Sequence, residues 1–300
     1  MSVSFHPDNA AQAEFWGGAG GARWAKRQDY HDQVLRPVTD LLLAAADARR
    51  GERVIDVGCG GGAMTAEIAA EVAPDGEAIG LDISDVLLTL ARRRAPAGLP
   101  VSFLHADATI HELPAGHADL IVSRFGVMFF ADPARAFMNL RRGLRAGGRL
   151  TFACFREAKL NPYFIAPLRA ALRHAPPLPE TGPNDPGPFS LADEARVRRI
   201  LAAAGFADVR VAPHDIELDV AAGQGLDAAA AAVMSYGPAS RMLQDQSEAV
   251  RAAAAADIRA DLRPYARSDA VLLGGAIWIV TAKNPGIEAE TAASTLGRSS

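Results

Sequence analysis

From residue 53 onward, short apolar runs alternate with segments whose apolar residues recur every three or four positions. These are the strand and helix periods. "RVIDV" (53–57) is a β-branched, buried strand, and "AMTAEIAAEV" follows it with helical spacing. "EAIGLDI" is a second strand ending at Asp82. Ser84 then caps the helix "DVLLTLARRRA", which stops before Pro96. "VSFLHAD" is a third strand, and "ADLIVSRF" is a fourth, almost wholly apolar as inside a parallel sheet. "DPARAFMNLRRGL" is a helix with Asp132 as cap and Pro133 at its first position, and "RAGGRLTFACF" runs from a glycine turn into a fifth strand. This succession predicts an α/β fold with a doubly wound parallel sheet and right-handed crossovers.

The rhythm breaks at residues 157–190, which hold 8 of the 19 prolines. They read as a long irregular excursion, either a disordered insertion or one that forms a lid. It resumes with the helix "DEARVRRILAAAG" and the strand "FADVRVAP". An alanine-rich helical region (Val220 to Arg263) and a last strand, "AVLLGGAIWIVTAK", follow. Residues 1–50 form an N-terminal arm. "FWGGAGGARWAKRQDY" reads as an aromatic-pinned flexible arm or as a flap over a ligand, and "QVLRPVTDLLLAAADA" as one amphipathic helix. The expected organisation is a helical arm or flap over 1–50, a main domain over 51–284 and a frayed tail over 285–300. Residues 157–190 and 220–265 serve as the substrate cover.

Composition narrows the function. The chain has 300 residues, 49% hydrophobic and 22% charged, with a net charge of −4. No basic footprint for nucleic acid is present, and "ARRRA" (91–95) reads as the solvated end of a helix. The two cysteines, Cys59 and Cys154, make no disulfide framework, and no Cys/His cluster has metal spacing. With no signal peptide and no apolar run of membrane length, the chain reads as soluble and cytoplasmic.

The candidate chemistry sits in "RVIDVGCGGGAMTAEIA" (53–69). Gly58, Gly60 and Ala63 satisfy the dinucleotide fingerprint G-x-G-x-x-G/A. Asp56, Gly58, Gly60 and Gly62 satisfy D-x-G-x-G-x-G. Three successive strand ends carry acids: Asp56, Asp82 and Asp107. Ligands of open α/β sheets bind at those carboxyl ends. Three carboxylates around one crevice suit a ligand with a cationic end, a diol and an amino-heterocycle, and they repel a pyrophosphate.

On "VIDVGCGGG", "GLDIS", "HADA" and "FGVMFFADPARAFMNLRRGLRAGGRL", the chain resembles the class I S-adenosylmethionine-dependent methyltransferases of the UbiE-like group, over about residues 50–156. The resemblance implies a Rossmann-like, seven-stranded, mostly parallel sheet. Its last strand is antiparallel and lies between strands five and six, with the N-terminal arm and the insertions as lids. It implies S-adenosyl-L-methionine as cofactor. Gly58, Gly60 and Gly62 would let the backbone approach it, and the helix from Ala63 would face the methionine carboxylate. Asp56 would meet the sulfonium or amino group, and Asp82 the ribose diol. Ile83 would pack on the adenine face, with Asp107 on the adenine amino group and the Ala108 backbone on the ring. Ser123 would line the methionine portion. Cys59 would contribute its backbone, and Trp24 would close from the arm.

For catalysis, His31 (with Asp29 or Asp32), His111 and Arg124 are the candidates. Arg124 either binds a carboxylate of substrate or cofactor or anchors a structural one. Phe125, Met128, Phe129 and Phe130 point to a small, apolar or aromatic methyl acceptor, when they are not simply core. Two alternatives stand beside this expectation: an NAD(P)-dependent oxidoreductase, and an S-adenosylmethionine-binding protein that transfers no methyl group. No nucleic acid partner or metal is expected, and a homodimer is compatible with the sequence.

Overall fold

The computed structural model describes residues 3–179, 182 and 184–286. Its strands are β1 (Arg53–Val57), β2 (Glu77–Asp82), β3 (Val101–His105), β4 (Ala118–Arg124), β5 (Leu144–Phe155), β6 (Ala207–Asp219), β7 (Ala266–Arg267) and β8 (Ala270–Lys283). Hydrogen-bonded neighbours run β3–β2–β1–β4–β5–β8–β6, with β7 pairing off β8. The first five strands are parallel, and β8 is antiparallel to both β5 and β6. The long last strand thus lies between the fifth and sixth, as the family resemblance implies; the two-residue β7 is the addition.

In chain order the helices are α1 (Ala10–Gly17), α2 (Ala19–Lys26), α3 (Gln28–Val34), α4 (Arg36–Ala46), α5 (Ala63–Val72), α6 (Asp85–Arg94), α7 (Pro133–Gly143), α8 (Pro162–Ala171), α9 (Glu194–Ala203), α10 (Gly225–Val233), α11 (Gly237–Leu243) and α12 (Glu248–Leu262). Side-chain caps set several starts: Ser84 accepts from the Leu87 amide, Asp132 from Arg135 and Asp193 from Arg196.

The N-terminal arm is helical: α1 and α2 fold together, and Ser84 Oγ donates to the Trp16 carbonyl at 2.6 Å. Two expectations need correcting. The single helix expected over "QVLRPVTDLLLAAADA" is broken at Leu35. Pro37 has no N–H for the next turn, so α4 restarts around it. The proline-rich segment is not wholly irregular; α8 begins at Pro162, where a missing amide is harmless. The alanine-rich region is helical and folds into three helices, α10–α12, separated at 234–236 and 244–247. The frayed tail expected over 285–300 lies outside the described residues, apart from 285 and 286.

Helices α8 and α10–α12 are attached through the sheet. β5 follows β8 only as far as Ile277, whereas β6 follows it on to Leu272. The projecting β6–β8 ribbon carries its own apolar cluster, in which Val271 and Leu273 pack with Ala170, Val233, Met242, Ile258 and Leu262 of α8 and α10–α12. The main core lies between the sheet and its flanking helices, around Leu42, Ile68, Leu120, Ile121, Phe137 and Phe152. No described helix is long and apolar enough to cross a membrane.

Candidate active site

The carboxyl ends of β1, β2, β3 and β4 open onto one cavity of about 580 Å³. Its floor is the glycine turn, its far wall is aromatic, and its roof comes from α2, α8 and α11. Gly58 makes the floor possible. Its φ is +71°, and a Cβ there would lie 2.6 Å from the Gly126 Cα, so only glycine lets the β1 and β4 turns meet. Phe125, before Gly126, also has positive φ (70°) and is held by stacking on Phe155 at 4.2 Å.

Asp56 is fully buried. Thr65 Oγ1 donates to its Oδ2 at 2.7 Å, while Oδ1 has no partner. Burial pushes its carboxyl up to about 6. The Thr65 hydrogen bond and Arg124 oppose that rise, and the Asp82 charge adds to it. Gln28 on α3 presents a second orphan acceptor to the same cavity: its Nε2 donates to Asp32 Oδ1 at 2.8 Å, and its buried Oε1 has no partner. Asp82 Oδ2 accepts from the Gly60 amide and Oδ1 from the Ser84 amide, both at 2.8 Å. Each oxygen keeps one lone pair for a ligand. Burial raises this carboxyl too. Cys59 is buried beside the two acids, which drives its thiol well above the usual range and leaves it protonated and unreactive at neutral pH.

Asp107 lines the cavity but is not open as expected. It already accepts from the His6 amide (2.9 Å), Asn9 Nδ2 (2.9 Å) and the Thr109 amide (2.8 Å). About one acceptor position remains for a ligand. Ile83, Ala108, Gly58, Gly60, Trp24, His31 and Arg124 also line the cavity; Gly62, Ser123 and His111 do not. Gly62 backs onto the Phe103 ring. Ser123 is buried, donating to the Val57 carbonyl at 2.7 Å and accepting from the Val127 amide. His111 closes a backbone turn onto the Asp107 carbonyl at 2.8 Å, away from the crevice.

Nor does a His–Asp pair form. Asp32 is held by Gln28, Arg94 and Arg124, and Asp29 by Arg94. Arg124 donates to Thr39 Oγ1 at 2.7 Å besides meeting Asp32, so it anchors a structural carboxylate. His31 instead stacks on Trp24 (3.8 Å, 14°) with its edge toward Tyr236. Burial, then the Arg27 charge, lower it to about 4, so it is neutral at pH 7.

The roof is tied to the arm by hydroxyls. Tyr30 donates its one proton to the Val220 carbonyl at 2.9 Å, so Tyr236 donates to Tyr30 at 2.8 Å, and Tyr163 donates to Tyr236 at 3.4 Å. Phe125, Met128, Phe129 and Phe130 line the aromatic wall, joined by Phe155, Tyr163 and Phe164. Asn9, Gln28, Trp16, Tyr163 and Tyr236 have no motif of their own; they lie in the segments read as arm, flap or cover, and the fold brings them together.

Residues 54–148 match the family described as "Methyltransferase domain". Over 210 residues the chain is 31% identical to nocamycin O-methyltransferase of Saccharothrix syringae, an alignment spanning 65% of this chain and 73% of that enzyme. The chain belongs to the class I S-adenosylmethionine-dependent methyltransferases. A demethylmenaquinone methyltransferase of Thermus thermophilus, from the UbiE-like group, is 40% identical over 116 residues. That match covers 38% of this chain and half of that protein. The methyltransferase also shares its fold with phosphoethanolamine N-methyltransferase 2 of Haemonchus contortus, solved with S-adenosyl-L-methionine. The TM-score is 0.55 at 16% identity, over 91% of this chain and 60% of that one.

Membership decides the glycine turn for S-adenosyl-L-methionine over a dinucleotide. The cavity fits that cofactor on its own terms. Two buried orphan acceptors, Asp56 Oδ1 and Gln28 Oε1, call for a donor such as an ammonium, and Asp82 keeps two lone pairs for a diol.

Proposed function

We propose that this methyltransferase methylates a small, largely apolar or aromatic metabolite enclosed beneath the helical cover. The observation that carries the reading is the continuity of the cavity: one chamber runs from the Asp56–Asp82 floor to the aromatic wall and the tyrosine-tied roof. When bound, the cofactor supplies a methyl group on a sulfonium.

In this reading Asp56 and Gln28 hold the amino group, Asp82 the ribose, and Ile83 and Ala108 the adenine, with the last acceptor position of Asp107 beside it. Trp16, Trp24 and Phe129 close the arm side; Trp16 meets the other two edge-on at 5.9 and 5.2 Å. They exclude water from the acceptor.

His31 is the neutral imidazole facing the chamber. A full proton transfer from a phenol-like acceptor of pKa about 10 to a base near 4 would cost about 8 kcal/mol. Base catalysis by His31 is therefore weak for such acceptors, and positioning, which can supply about 7–11 kcal/mol, has to dominate. An acceptor already ionised at neutral pH needs no base at all. The name of the Saccharothrix relative favours oxygen as the atom methylated.

The test is incubation of the full chain with S-adenosyl-L-methionine and a panel of phenols, quinols, enols and aromatic carboxylates. Mass spectrometry follows S-adenosylhomocysteine and a product heavier by one methylene. Cofactor binding without methylation of any aromatic or apolar acceptor, alongside methylation of a small polar one, would overturn the acceptor class.

A further inference from the structure

Other arginines near the cavity have partners. Arg27 donates through Nη1 to Ser235 and lies over the Tyr30 ring, Arg124 meets Asp32 and Thr39, and Arg156 meets Asp215. Two are different. Arg23 on α2 and Arg241 on α11 both line the cavity, on the arm and on the cover, and neither has a hydrogen bond or ion pair to any described residue. Their like charges act on each other: burial first, and then Arg23, lower the Arg241 guanidinium. The carboxylates of the chamber do not relieve them, because the hydrogen bonds of Asp56, Asp82 and Asp107 go to Thr65, to backbone amides and to Asn9. Gln12, Ser240 and Gln244 line the same cavity and add neutral donors.

Two guanidiniums on one cavity without a counter-charge repel each other, and an anion between them removes that repulsion while accepting charge-assisted, bidentate hydrogen bonds. The aromatic wall cannot supply that anion; a ligand can. We propose that Arg23 and Arg241 form an anion-recognition subsite, and that the methyl acceptor is an amphiphile whose apolar body fills the aromatic chamber and whose carboxylate or similar oxyanion is clasped between arm and cover. The inference rests on the acceptor chamber proposed above and adds the charge of its occupant. It also couples closure to substrate, since the two arginines sit on different pieces of the roof.

The test uses the full chain saturated with S-adenosylhomocysteine, with 1-naphthylacetate and its neutral amide, 1-naphthylacetamide, as probes read by the fluorescence of Trp16 and Trp24. The acid should bind at least about ten-fold more tightly than the amide, the low end for a hydrogen bond to a charged group. The R23Q/R241Q double variant should reduce that preference to within about two-fold. R241K should retain part of the preference as a point charge, which a purely structural role would not explain. Equal affinity of acid and amide in the wild type would overturn the subsite, as would a preference that survives in the double variant. Calorimetry with S-adenosylhomocysteine separates the remaining case. If the double variant weakens that ligand as much as it weakens naphthylacetate, the arginines serve the cofactor's carboxylate, and the anion subsite is refuted while the methyltransferase reading stands.

Discussion

Replacing Asp56 by asparagine probes the cationic end of the site through its effect on stability. The carboxyl is fully buried, has one hydrogen bond from Thr65, and is pushed up to about 6 from 3.8. With the folded value raised, its stability contribution is complete below about pH 4 and is lost as pH rises through 6. The shift of about two units corresponds to about 3 kcal/mol of unfavourable ionisation by pH 7.5 in the ligand-free protein. Asp56→Asn removes that pH dependence. Its amide can still accept from Thr65, which leaves a buried NH₂ where Oδ1 had no partner, at a cost of about 1–3 kcal/mol. The net at pH 7.5 is therefore between no change and a gain of about 2 kcal/mol, whereas at pH 4 the variant should be less stable than wild type by the full cost of the unpaired amide. Urea denaturation at both pH values measures this. S-adenosylhomocysteine should bind the variant about 10–100-fold more weakly, because an ammonium then meets a donor instead of a carboxylate. An Asp56→Asn protein with the wild-type pH slope of stability and wild-type affinity would refute the assignment.

His31→Gln tests the opposite sign. The imidazole, lowered from 6.5 to about 4, contributes stability that is present above 6.5 and lost as pH falls through 4, up to about 3 kcal/mol. The variant should flatten that acid limb in denaturation curves measured between pH 4 and 7. Ser123→Ala should lower stability by about 1–2 kcal/mol through loss of the bond to Val57, with unchanged S-adenosylhomocysteine affinity by calorimetry. Weakened affinity would return Ser123 to the ligand. Gly58→Ala forces a Cβ to 2.6 Å from Gly126 at positive φ, so it should lower the thermal midpoint by several degrees, read by differential scanning calorimetry.

Helix starts and strand cores were legible wherever a local signal sets them. Ser84 and Asp132 cap as their side chains dictate, and "AVLLGGAIWIVTAK" is β8 to the residue. Within "FWGGAGGARWAKRQDY" the glycines alone suggest flexibility. Gly21 is instead required there, since a Cβ would lie 1.9 Å from the Trp16 carbonyl and block the packing of α1 on α2. In the site, Asp56 and Asp82 announced themselves at strand ends. Gln28 and Asn9 could not, because both reach the crevice from the arm; Asn9 lies 98 residues from Asp107, to which it donates. Asn9 also shows why a motif acid need not be free: the chain itself supplies most of the donors for Asp107. The arginine pair was invisible for the same reason, since Arg23 and Arg241 are brought together only by the cover.

A structure of the full chain with S-adenosylhomocysteine bound tests the central claim most directly. The account predicts the ligand's amino group within hydrogen-bonding distance of both Asp56 Oδ1 and Gln28 Oε1, its ribose hydroxyls on the two oxygens of Asp82, and its sulfur facing the chamber lined by Phe125, Phe155 and Tyr163. A ligand whose amino group leaves those two acceptors unpaired, or whose sulfur faces away from the aromatic chamber, would contradict it.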